Sequence, residues 1–160
     1  MGLRHRRRGF AVFALLVSVL TQTALGADPS WNKIRYQGGT IQVKVNPFDW
    51  NTTLRVSSSS IMIDFSSLKQ ITIDARDVTS LTHGETAYYR VVDMVASSPV
   101  SKPVPLFGII HAGKDHLVGI EFKNQDGSRG GVLLLVHKDS YLALLQALSQ
   151  LTKKPVEGSP

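Results

Sequence analysis

One stretch near the carboxyl end constrains the fold more than any other. Tyr141, Leu144, Leu145, Leu148 and Leu151 recur at spacings of three and four, which sets them on one stripe of an α-helix. Asp139 stands where it can cap the start and meet the positive end of the helix dipole. Lys153 and Lys154 suit the carboxyl end of such a helix, and Pro155 stops it. An amphipathic helix must lay its stripe on something, and nearly everything before it reads as short strands.

Thr40, Gln42 and Lys44 alternate with Ile41, Val43 and Val45, the period of a half-buried strand, with Gly38-Gly39 before them as a turn or bulge signal. Asn46 to Trp50 is a predicted loop broken by Pro47. Thr52 to Ser57 and Ile61 to Phe65 read as the next strands, joined by the polar turn Ser57 to Ser60. Gln70 to Asp74 alternates again, Val78 and Leu81 continue inward, and His83-Gly84-Glu85 forms a turn. Ala87 to Val92 is rich in aromatic and branched residues and reads as a strand. Ala96 to Pro105 carries Pro99, Pro103 and Pro105, which forbid regular pairing, so it reads as a long exposed loop. Asp93, Lys102 and these prolines also argue against a membrane span across Val91 to Ile110. Leu106 to His111, His116 to Lys123 and Gly130 to His137 are the last predicted strands, with Asp126-Gly127 as a hairpin tip. Val132 to Val136 is apolar on both faces and is expected to be covered on both sides. No repeat of about 20 to 50 residues is present.

The amino terminus has a different grammar. Arg4, Arg6, Arg7 and Arg8 precede an uncharged apolar run from Phe10 to Leu20, and small residues follow at Ala24 and Gly26. Basic, apolar, small is the order of a cleavable secretory signal over residues 1–26. Arg7-Arg8-Gly9-Phe10 also fits the core of a twin-arginine signal. Removing this segment takes four of the 18 basic residues and no acidic one, so the net charge falls from +6 to +2. The remaining Lys and Arg are scattered rather than striped, which argues against nucleic-acid binding. The chain has no cysteine, which excludes disulfides, thiolate metal sites, a Cys nucleophile and a lipid on a cleavage-site Cys.

Several strands followed by one amphipathic helix is the plan of the pleckstrin-homology-like (PH-like) barrel. In its residues the chain resembles the secreted bacterial PH-like proteins of unassigned function often seen in acidobacteria. The resemblance rests on Gly38-Gly39, on Ile73 with Val78-Thr79-Ser80-Leu81 and His83-Gly84, and on Leu106-Phe107-Gly108. It continues through Lys114-Asp115-His116-Leu117-Val118-Gly119-Ile120, Gly130-Gly131-Val132, Lys138-Asp139-Ser140-Tyr141, Leu144-Leu145, Ala147-Leu148 and Thr152-Lys153-Lys154-Pro155-Val156. Lys153 departs from the Gly that would close the helix, so the helix end is expected to differ. The resemblance implies a mainly β fold: a PH-like bent antiparallel barrel of about seven strands with one C-terminal α-helix. It would span residues 27–156, with 157–160 as a loose tail. It supports a fold, not an activity.

The chemistry is weighed residue by residue. Lys44 and Arg55 are too few for the basic cluster that grips inositol phosphates in lipid-binding relatives of the fold. His111, His116, His137 and Asp115 have no closed zinc spacing and read as strand-end residues, so no metal or cofactor is expected. Asp64, Asp74, Asp77 and Glu85 read as strand-edge carboxylates, Asp126-Gly127-Ser128 reads as a hairpin tip, and no Gly-x-Ser-x-Gly is present, so the chain is read as no enzyme. Phe48, Asp49 and Trp50 form the candidate contact surface, because large aromatics on a loop mark interaction sites, and Trp31 is a lesser candidate. The sequon at Asn51-Thr52-Thr53 carries no assigned role. The expectation is a secreted or periplasmic binding module for a protein or peptide partner, using a free sheet edge or the Phe48 to Trp50 loop, with Ala96 to Pro105 as a second surface. The alternatives are an envelope lipid- or glycan-surface module using Phe48 and Trp50, and a metal-dependent enzyme.

Overall fold

The computed structural model describes residues 27–66, 69–98 and 116–158. The strands are β1 (Ser30–Gly39), β2 (Thr52–Val56), β3 (Ser60–Phe65), β4 (Gln70–Asp74), β5 (Val78–His83), β6 (Leu117–Lys123), β7 (Arg129–Val136) and β8 (Val156–Glu157). A single 3-10 turn, Ala75–Asp77, joins β4 to β5. Helix α1 (Gly84–Ser97) follows β5, and α2 (Lys138–Thr152) follows β7. The sheet order is β4-β3-β2-β1-β7-β6-β5-β8. Two antiparallel meanders, β1 to β4 and β5 to β7, meet where β1 pairs with β7, and β8 lies parallel to β5.

The period-two residues sort as strands require. In β3, Ile61, Ile63 and Phe65 point into the core while Ser60, Met62 and Asp64 face outward. Beneath α2, Leu144, Leu145 and Leu148 join Ile34, Leu54, Ile63 and Ile120 among the buried residues of the main core. The opposite face carries a smaller cluster of Ala87, Val91, Val95, Leu117 and Leu133 under α1. Strand β7 therefore is covered on both sides, with Val132, Leu134 and Val136 in the main core and Leu133 in the smaller one. Helix α1 lies close to the sheet because Gly119 has no side chain there. A Cβ at Gly119 would sit 3.2 Å from Ala87 Cβ and 2.3 Å from Thr82 Oγ1.

Charge completes the α1 face. Glu121 is buried on β6 and meets Arg90 of α1 at 3.4 Å and Arg129 of β7 at 3.1 Å. Arg90 also reaches Glu157 of β8 at 2.6 Å and the Ser80 hydroxyl at 3.1 Å. These contacts bind the helix, the sheet and Glu157, a residue the sequence assigned to the tail.

Several expectations need correction. In place of a bent barrel of seven antiparallel strands and one helix, the described residues form an eight-stranded mixed sheet, not a closed barrel, with two helices. Ala87 to Val92 is helical, inside α1. Its apolar spacing of Ala87, Val91, Met94 and Val95 forms a helical stripe, and packing on the sheet overrides the strand propensity of Tyr88, Tyr89 and Val92. Ala96 and Ser97, assigned to the long loop, end that helix. Thr40 to Val45 alternates in exposure, with Ile41, Val43 and Val45 packed on the core, yet joins no strand ladder. The first strand lies earlier, at Ser30–Gly39, and Gly38-Gly39 closes it with a register shift against β7. The backbone needs glycine there, at φ of 143° and 144°, and a Cβ on Gly39 would meet the Gly131 carbonyl oxygen at 2.2 Å.

The helix ends also differ from expectation. His137, not Asp139, caps α2, accepting the Asp139 N–H on Nδ1 at 3.4 Å, and Asp139 sits in the first turn. Lys153 takes the left-handed geometry itself, at φ 58°, with its N–H on the Ser149 carbonyl at 2.9 Å. The predicted signal segment 1–26, most of the proline-rich loop, the strand Leu106 to His111, and His111 and Asp115 lie outside the described residues.

Candidate contact site

The Asn46 to Trp50 loop is built from its own polar groups. Pro47 follows Asn46 in a turn closed by the Asp49 N–H on the Asn46 carbonyl at 3.3 Å. Asn46 Oδ1 accepts the Phe48 N–H at 3.1 Å, and its Nδ2 donates to Asp49 Oδ2 at 2.7 Å. Two buried side chains fix the loop to the sheet. Gln37 Nε2 donates to the Pro47 carbonyl at 3.1 Å. Asn51 Nδ2 donates to the Asn46 carbonyl, and its Oδ1 accepts the Tyr36 N–H at 3.1 Å and the Thr52 hydroxyl at 2.7 Å. The Asn51 amide of the sequon is thus committed to the fold.

On this pinned loop Phe48 is 69% exposed and Trp50 is 43% exposed. Phe48 stands free of the core. Trp50 meets His137 edge-on, with ring centroids 5.6 Å apart, and the Arg35 guanidinium lies 4.2 Å from its centroid. Phe48, Asp49 and Trp50 share this loop, with both aromatics exposed and Asp49 turned back onto Asn46. Arg35, Gln37, Asn51 and His137 belong to the same site; the sequence marks Asn51 only as a sequon and His137 only as a metal candidate, and it does not mark Arg35 or Gln37. Arg35 and Gln37 sit on a strand whose position was not recognised, so no register could bring them to the loop. Trp31, the lesser aromatic candidate, packs partly buried against the main core.

The other candidates are dispersed. His116 stacks near Tyr141, with centroids 4.7 Å apart, while His137 faces Trp50 and lies 3.3 Å from Asp139. Among the described residues no group of three His, Asp or Glu side chains is placed to share a metal ion. Arg55 pairs with Asp64, and Asp74 lies 3.2 Å from Arg76. Glu85 raises the Tyr89 phenol through a hydrogen bond and its charge. Hydrogen bonds from Ser128 lower the Asp126 carboxyl at the hairpin tip.

A second surface lies at the outer side of β4, which among the described residues pairs with no further strand. The Phe65 N–H bonds the Lys69 carbonyl and the Ala75 N–H bonds the Ser59 carbonyl, each at 2.8 Å. By the alternation of an antiparallel ladder, Gln70, Thr72 and Asp74 turn their backbone groups outward. A cleft of about 1180 Å³ opens there, lined by Ile71, Ile73, Arg76, Asp77 and Phe122. Among the described residues no helix is long and apolar enough to cross a membrane. No protein-family model matches the chain, and no curated protein matches it.

Proposed function

We propose that this chain is an exported, non-catalytic PH-like module that binds a protein or peptide partner through the Asn46 to Trp50 loop. The observation that carries the reading is rigidity combined with exposure. Asn46, Gln37 and Asn51 fix the loop before any partner arrives, and Phe48 and Trp50 stand out from it. Aromatic groups held in place lose little entropy on binding. The PH-like reading draws on seven antiparallel strands in two meanders before α2, whose leucine stripe packs under the sheet. Helix α1 and β8 are additions to that plan. The outward backbone groups of β4 offer an extended segment of the same partner a place to pair. Export rests on the basic, apolar and small segments at the amino end.

Selection from a displayed random-peptide library against the purified protein tests the reading. Enriched peptides are expected to lose binding to Phe48→Ala and Trp50→Ala variants, and peptides indifferent to both would refute it. Co-sedimentation with anionic phospholipid vesicles tests the rival. Pelleting that resists salt and disappears in Trp50→Ala would favour an envelope-surface module instead.

A further inference from the structure

We propose that the Phe48 to Trp50 site is selective for acidic peptides, with Arg35 as the residue that receives a side-chain carboxylate of the partner. The inference rests on the loop being the binding surface and adds the chemistry of what it binds.

Arg35 projects from β1 on the face that carries Leu135, and Trp50 lies over its guanidinium. Stacking on an aromatic face fixes the guanidinium plane and leaves its N–H groups pointing sideways. Arginines so placed in folded proteins usually have a carboxylate or carbonyl at that edge. Here, among the described residues, Arg35 has no hydrogen-bond acceptor, and its Nε is a buried nitrogen without a partner. A buried donor left unpaired is costly. The side chain as a whole is only partly buried, so an incoming ligand can meet it.

The surroundings favour an anion. Lys33, whose carbonyl accepts the His137 N–H at 3.0 Å, and Lys138 are both exposed beside the site. Asp49 is turned onto the Asn46 amide and Asp139 onto His137, so neither carboxylate pairs with Arg35. A carboxylate would meet the guanidinium end-on, accepting from its two Nη groups without reaching the enclosed Nε, while an apolar neighbour in the peptide covers Phe48. The partner is therefore a peptide segment in which Asp or Glu adjoins a large apolar residue.

The test uses displayed peptides with no free carboxyl end, so that only side-chain carboxylates are sampled. Sequences pairing Asp or Glu with an apolar neighbour should be enriched. The best peptide, resynthesised with an amidated end, should lose about tenfold or more in affinity when its acid becomes the amide, and likewise against Arg35→Ala. Arg35→Lys, which keeps the charge without the fork, should lose most of the same affinity and serves if Arg35→Ala folds poorly. Peptides that need Phe48 and Trp50 but change less than about twofold in these variants would overturn the acidic specificity and leave the binding loop standing. Peptides that need neither aromatic would overturn both.

Discussion

Leu144, Leu145 and Leu148 of α2 share a core with 16 buried apolar residues drawn from seven strands, while on the other face Ala87, Val91 and Val95 of α1 meet Leu117 and Leu133 alone. The larger core needs no charge. The smaller one adds a buried carboxylate, Glu121, held between Arg90 and Arg129. A broad apolar stripe supplies its own affinity. A thin one gains orientation from directional contacts, at the cost of desolvating an ion. The comparison predicts that the two faces fail differently.

Leu148→Ala should have the largest effect. Its side chain is fully buried under the sheet, and such truncations cost about 2–5 kcal/mol, read as a lower denaturant midpoint for the whole molecule. On the other face, replacing Arg90 and Arg129 together by Met leaves Glu121 buried without a cationic partner. A loss of about 3 kcal/mol is expected, with amide-exchange protection lost first in α1. If α2 amides open as early as those of α1, the faces are not separable.

Alkaline pH probes the α2 side through Tyr36, which is buried there, whereas the raised phenol of α1, Tyr89, is exposed. Burial pushes its phenol well above the ordinary value of 10.0, and its hydroxyl donates to the Ile41 carbonyl at 2.8 Å. The folded group ionises later than the unfolded one, so its contribution is complete below about pH 10 and falls as pH rises further. Thermal unfolding from about pH 9 to about pH 11 should show this decline, and Tyr36→Phe should flatten it. The smallest effect is a gain. Lys153→Gly relieves the left-handed geometry at the end of α2, and after the added flexibility of Gly it should stabilise by about 0.5–1 kcal/mol. An unchanged melting temperature would mean that Lys153 recovers the strain through its contacts.

What could be read in the sequence follows the same division. Helix α2 announces itself because the stripe from Tyr141 to Leu151 holds for about three turns and Pro155 ends it. Helix α1 does not, because its stripe of Ala87, Val91, Met94 and Val95 is narrow and its other residues favour strands. Strands β3 and β4 alternate cleanly. Strand β1 does not, since shifts at Trp31 to Ile34 and Tyr36 to Gly38 break its period and its exposed end carries Asn32 and Lys33. The candidate site divides likewise. Phe48, Asp49 and Trp50 are visible because Pro47 marks a loop. Arg35 reaches them through the unrecognised β1, and His137 through the pairing of β1 with the strand that precedes α2, a relation between residues about a hundred positions apart.

That pairing has a consequence for how the molecule is made. β1 leaves the ribosome early, yet its ladder to β7 waits for nearly the whole chain to emerge. The β2 to β4 hairpins can form from local contacts alone, but the joint between the two meanders closes almost last. Loop closure over such a distance is slow compared with hairpin formation. The newborn chain therefore spends most of its synthesis as separate, half-sided pieces, and the tertiary fold locks only when the segment leading into α2 arrives.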